Sequence, residues 1–161
     1  MSDVGTAKDA RRKFRSPYLK ALGIVFLPRL IDKMRAVGTP ALGGFNYKTA
    51  GMDAVVLEFL GVDAEALEGF VGTGARDEEV YAWIERFARR YSADEARALN
   101  ENILNMGQRT ADEREVFEAR RDERYPGRTD LRYYVDLIEA DESGVILERP
   151  LPRSYYDPDS K

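Results

Sequence analysis

The chain has 161 residues, of which 43% are hydrophobic and 11% aromatic, with 25 Lys/Arg against 29 Asp/Glu for a formal charge of −4. That length suits one ordinary domain, and a chain of this size buries roughly 70% of the surface its unfolded form exposes, so it needs no covalent staple. Cysteine and histidine are both absent, which excludes disulfides, thiolate nucleophiles, zinc fingers, haem and iron–sulfur ligation, Ser-His-Asp triads and imidazole bases; no cofactor and no metal site is expected.

The first fifteen residues are basic and polar, with too little apolar material to fold alone. Up to Arg35 the chain holds nine Lys/Arg against Asp3, Asp9 and Asp32, a net +6, so the remainder carries −10. A basic end can mark a nucleic-acid contact, but the acidity of the whole chain argues against that and for a solvated tail over 1–15. The opening lacks the apolar region of a secretory signal, and no apolar run approaches the ~18 residues of a membrane helix. A cytoplasmic protein is the expectation.

A domain is expected over 16–142. Ser16-Pro17 reads as the start of a short helix that Gly23 interrupts, and Pro28 opens a second one running to Arg35 or Val37. Leu30, Ile31 and Met34 give that helix an apolar stripe, and Gly38 stops it. Residues 38–50, dense in Gly and Pro, read as a long loop. Helical spacing resumes over 52–60 with Met52, Val55, Val56, Phe59 and Leu60 on one face. Asp63 caps a short helix carrying Leu67, Phe70 and Val71. The clearest periodicity spans 78–91, capped by Asp77, with Val80, Trp83, Ile84, Phe87 and Tyr91 turned inward. Ser92 with Glu95 and Thr110 with Glu113 have the spacing of capping boxes; the second opens a very polar helix anchored by Val116 and Phe117. Thr129 caps a last helix with Leu131, Tyr134, Val135 and Ile138 inward. After Gly144, Val145, Ile146 and Leu147 suit a short strand or the start of an extended Pro/Tyr-rich arm over 143–161, which Pro150 and Pro152 keep from being helical. No period-two alternation precedes that arm. The fold class is therefore all-α: one compact domain of about six or seven short helices with an extended C-terminal arm.

Three patches could carry chemistry. Arg29, Asp32 and Lys33 share a helix face, where Asp32 would hold Arg29 in a fixed pose with donors left for an anion; the plainer reading is a structural ion pair. In Tyr125-Pro126-Gly127-Arg128-Thr129-Asp130 a turn precedes a helix start, placing Arg128 and Asp130 where an anion would be welcome; the plainer reading is a turn and a cap. The third is the glycine-rich loop with Phe45, Tyr47, Lys48 and Asp53, able to close over a ligand or simply to fold onto the core. The acids Asp112, Glu113, Glu115 and Glu118 lack the central glycine of a metal loop and read as a solvated face.

The segments LPRLIDKMRA, LGGFNY followed by MDAVVLEFLGVD, and PGRTDLRYYVDLIE resemble a bacterial family, the domain of unknown function 5069 proteins, over about 16–142. The resemblance implies small soluble proteins and supplies no catalytic residue. Two functional expectations follow from the residues themselves. One is a non-enzymatic binding or interaction domain, with a homodimer formed through the C-terminal arm. The other is a small enzyme or sensor for an anionic phosphate or carboxylate metabolite: Arg29, Lys33 and Arg128 hold the anion, Asp32 orients Arg29, and Asp130 or Tyr47 gives acid–base help.

Overall fold

The computed structural model describes residues 14–43 and 47–142 of the chain. Within them are seven helices and one two-stranded hairpin. The strands are β1 (Lys20–Ala21) and β2 (Ile24–Val25). The helices are α1 (Leu27–Arg35), α2 (Gly51–Leu60), α3 (Ala64–Val71), α4 (Asp77–Phe87), α5 (Ala93–Asn105), α6 (Ala111–Arg124) and α7 (Tyr134–Glu142). The all-α class with its expected number of helices is what the protein shows, the hairpin being its one exception among the described residues. The arm over 143–161, most of the basic tail (1–13) and Phe45 lie outside them.

The hairpin replaces the helix expected after Pro17. Its strands pair antiparallel, Lys20 opposite Val25 and Ala21 opposite Ile24. Leu22 and Gly23 take φ of +53° and +78°, the two left-handed positions of a tight hairpin turn whose twist matches the strands. For Leu22 that geometry costs roughly 1–2 kcal/mol. Asn100, fully buried on α5, ties the turn down: its Oδ1 accepts from the Val25 N–H at 2.9 Å and its Nδ2 donates to the Gly23 carbonyl at 2.8 Å. Strands of two residues show no periodicity, so nothing in the local pattern announces them.

From Ile24 to Ile31 every side chain is buried, and this run forms the centre of the core. Val56, Leu60, Leu67, Val80, Ile84 and Ile103 close over it from the following helices. Phe117, Leu131, Leu137 and Ala140 make a smaller cluster beneath α6. Burying side chains of this kind contributes roughly 1.5–3 kcal/mol each, the term that offsets chain entropy.

Several expected details differ. Asp63 caps α3 as anticipated, accepting from the Glu65 and Ala66 N–H groups, and Ser92 with Glu95 forms the full box at α5. Asp77, however, is the first residue of α4 rather than its cap, because its carboxylate is taken by Arg15 and Arg35. That helix stops at Phe87, and Arg89 N–H turns away to the Leu60 carbonyl. Phe87 is consequently 53% exposed instead of turned inward, and Trp83 is half-buried. On α6 Phe117 is buried while Val116 is half exposed. Thr129 caps no helix. The start of α7 is satisfied by Asp136, whose Oδ2 accepts from the Arg132 and Tyr133 N–H groups at 2.9 and 3.0 Å.

The N-terminal approach is part of the packed body from Phe14 onward. Phe14 is buried, and Arg15 donates to Asp32 and Asp77 from its guanidinium and to Asp32 from its backbone N–H.

Candidate functional site

A cleft of about 810 Å³ opens where α1, the N-terminal end of α2, the C-terminal end of α5, α6 and α7 meet. Phe26, Met52, Met106, Leu137 and Ile138 supply an apolar floor, with Lys33 beside them. Arg109, Glu113, Arg120, Glu123, Arg124 and Asp141 form a charged rim. Small-molecule sites run from roughly 300 to 1,000 Å³ with apolar walls and a few convergent polar groups, so this cleft has the size and character of one.

The rim charges differ in what holds them. Arg109 grips Glu113 through three guanidinium contacts of 2.8–3.1 Å, and Glu113 also accepts from the Arg109 backbone N–H. That cation beside it holds the Glu113 carboxyl down at about 2. Arg124 pairs with Asp141 at 2.6 Å. Asp141 also accepts from the Tyr125 hydroxyl; burial and that carboxylate push the phenol up to about 12. Arg120 is different. It lies over the Tyr134 ring, 5.9 Å from the centroid, and donates to the Tyr134 hydroxyl at 3.3 Å. No carboxylate among the described residues pairs with it.

At the inner end, Lys33 Nζ lies 3.1 Å from Asp53 Oδ1 and 5.1 Å from the centre of the Phe26 ring. Asp53 is fully buried and its second oxygen accepts from the Lys48 N–H at 3.0 Å. Burial pushes the Lys33 ammonium below the usual lysine range, and Arg29 adds to this while Asp53 opposes it. Burial likewise raises the Asp53 carboxyl, against the attraction of Lys33. Desolvation thus favours moving the proton between the two over holding both charges in an apolar surround.

The other expected site residues are placed elsewhere. Arg29 is 2% exposed and makes a two-pronged pair with Glu142, including an NH1–Oε1 contact of 3.0 Å, between the rings of Phe14 and Phe26. Asp32 accepts from Arg15 rather than orienting Arg29. Tyr47 donates its hydroxyl to Glu68, and burial with that carboxylate raises the phenol far above its ordinary range. Arg128 and Asp130 close on one another through two contacts of 2.8 Å, and the guanidinium keeps the Asp130 carboxyl below its ordinary value. Of the six expected residues only Lys33 lines the cleft.

The structure therefore joins part of the first patch to part of the third, Lys33 to Asp53, and leaves the second closed on itself. Arg109, Arg120 and Arg124 were not anticipated: on a helix as polar as α6, a cation lining a cleft has the same local pattern as one in solvent. The Lys33–Asp53 pairing joins α1 to α2 across the loop over 38–50, and spacing within either helix does not name the partner.

The fold and cleft define a small, mostly helical domain with a partly apolar cleft. The family model for the domain of unknown function DUF5069 matches residues 11–144. The chain belongs to that family, and the matched stretch includes all of 16–142. No curated protein matches the chain. Among the described residues no helix is long and apolar enough to cross a membrane.

Proposed function

We propose that the chain is an enzyme or sensor for a small anionic metabolite, bound in the cleft with its acidic group on Arg120 and its apolar body over Met52, Met106 and Ile138. The observation that carries this reading is Arg120: a guanidinium on the rim of a roughly 810 Å³ cleft, placed by Tyr134 and paired with no carboxylate among the described residues. A charged hydrogen bond of this kind contributes about 1.5–3 kcal/mol, enough to select an anion. Arg109 and Arg124 are neutralised by Glu113 and Asp141 and shape the rim without competing for the ligand. Arg29 and Arg128, the cations expected from sequence, serve in structural pairs.

The test is thermal stabilisation by hexanoate and by inorganic phosphate. Hexanoate, which carries both a carboxylate and an apolar chain, is expected to raise the melting temperature of the wild type more than phosphate does. Arg120→Ala is expected to remove that rise while leaving the unliganded melting temperature within a degree or so, since Arg120 is exposed and its polar and ring contacts among the described residues are with Tyr134. An undiminished rise in Arg120→Ala contradicts the proposal.

A second reading, an interaction domain forming homodimers, draws on a surface run of aromatics. Phe87 packs on Trp83 at 4.7 Å between ring centroids, and Trp83 stacks on Phe70 at 6.0 Å. Light scattering on the full chain decides it: a monomer mass at micromolar concentration contradicts a dimer.

A further inference from the structure

We propose that Lys33 is a covalent catalytic residue that forms an imine with the carbonyl carbon of an anionic oxo-compound held in the cleft, with Asp53 moving the protons. The inference rests on the reading of the cleft as an anion site and names the substrate class: a ketone or aldehyde that also carries a carboxylate or phosphate.

Four observations place the chemistry. The Lys33 side chain is 5% exposed, and Lys33 lines the inner end of the cleft. Asp53 Oδ1 is 3.1 Å from its nitrogen, within reach for direct proton exchange, and is itself excluded from solvent. Phe26, Met52 and Ile138 line the same cleft, and of the charges around Lys33 the Arg29 guanidinium favours the neutral amine while Asp53 and Glu142 oppose it. Arg120 lines the same cleft, paired with no carboxylate among the described residues, and supplies the cation for the acidic end of such a molecule. A lysine desolvated in an apolar pocket, near a second cation and with a carboxylate to shuttle protons, is the arrangement that activates an amine as a nucleophile.

The step balances within the pair. Asp53 takes one proton from the Lys33 ammonium, leaving an amine and a carboxylic acid. The nitrogen lone pair attacks the carbonyl carbon and the C=O π pair moves to oxygen. A proton passes from nitrogen to that oxygen, giving a carbinolamine. The nitrogen lone pair then expels the hydroxyl, to which Asp53 returns its proton, so water leaves. The products are a protonated imine on Lys33, the Asp53 carboxylate as its counter-ion, and one water molecule. Nothing is oxidised or reduced.

The experiment treats the full chain with pyruvate or with levulinate, whose carboxylates lie at different distances from the ketone, in the presence of cyanoborohydride, and maps the product by peptide mass spectrometry. The expected result is one adduct, equal in mass to the oxo acid less one oxygen atom, on Lys33 and not on the other five lysines (Lys8, Lys13, Lys20, Lys48, Lys161). Asp53→Asn is expected to slow labelling by about 100-fold. Arg120→Ala is expected to raise the probe concentration for half-labelling by about tenfold. Mapping on the wild type stands even where a Lys33 variant fails to fold. No adduct with either probe, or labelling of Lys20 and Lys48 as fast as Lys33, overturns the proposal. Hexanoate binding without labelling overturns the imine alone; Lys33 labelling that ignores Arg120→Ala overturns the anion site and leaves the nucleophile standing.

Discussion

Arg29 illustrates how far a residue's role depends on partners remote in sequence. Helical spacing couples it to Asp32, three positions on, yet its carboxylate comes from Glu142, 113 positions away. Asp32 is drawn off by Arg15, which reaches it from the N-terminal side. Spacing identifies neighbours on one helix but not which of two nearby acids the packed molecule delivers, so the ionic character of Arg29 was legible and its partner was not. Because both members are buried, removing one leaves the other charge uncompensated. Glu142→Gln is expected to cost about 3–5 kcal/mol in urea unfolding. The double replacement Arg29→Met with Glu142→Leu is expected to recover most of that loss. Equal destabilisation by the single and the double change would contradict this. Glu113 provides a pH test. Its carboxyl is held down at about 2 against an ordinary 4.5, chiefly by Arg109. A depressed carboxyl contributes stability that is present above the unfolded value and is lost as the pH falls through the folded one. Acid unfolding between about pH 4.5 and 2 is therefore expected to be shallower in Glu113→Gln than in the wild type. An identical slope would count against the pair.

Among the elements, α7 departs most from its sequence pattern. Its apolar residues suggest a helix with acids outward, but Asp136, Glu139 and Glu142, spaced three apart, are all buried. They take the Tyr18 hydroxyl, the Ser16 hydroxyl and the Arg29 guanidinium in turn. The seam between α7 and the segment 14–29 is thus polar, and a reading based on hydrophobic faces has no means of predicting a buried row of carboxylates. The hairpin was missed for a related reason: its stability comes from Asn100 on α5, not from its own residues. The capping residues Asp63 and Ser92 were legible because a cap acts within a single turn, and so was the stop at Gly38, whose φ of +79° favours glycine. Gly107 joins α5 to α6 with φ +107°, and a Cβ there would fall 3.0 Å from Phe117 Cδ2. Gly107→Ala is expected to destabilise the chain by about 1–3 kcal/mol through that overlap and the strained backbone. Because α6 carries Arg120, it is also expected to weaken hexanoate-induced stabilisation. A melting temperature unchanged from wild type would show that α6 is free to shift.

At the scale of the whole molecule, the cleft exists because α6 has only one deeply seated hydrophobic anchor, Phe117, and leans on Tyr134 edge-to-face at 5.1 Å. The gap it leaves against α1 and α2 is lined on one side by arginines and on the other by Lys33, with the fully buried Asp53 behind it. No segment of the sequence contains this site. The helices were legible one by one from their periodicity, whereas the cleft arises from how three distant stretches cross. The measurement that tests it most directly is a titration of the full chain with hexanoate followed by backbone amide NMR shifts. The account predicts shifts concentrated at Met52, Met106, Arg120 and Ile138, with Arg128 and Asp130 unmoved; shifts centred on Arg128 and Asp130, or none at saturating ligand, would contradict it.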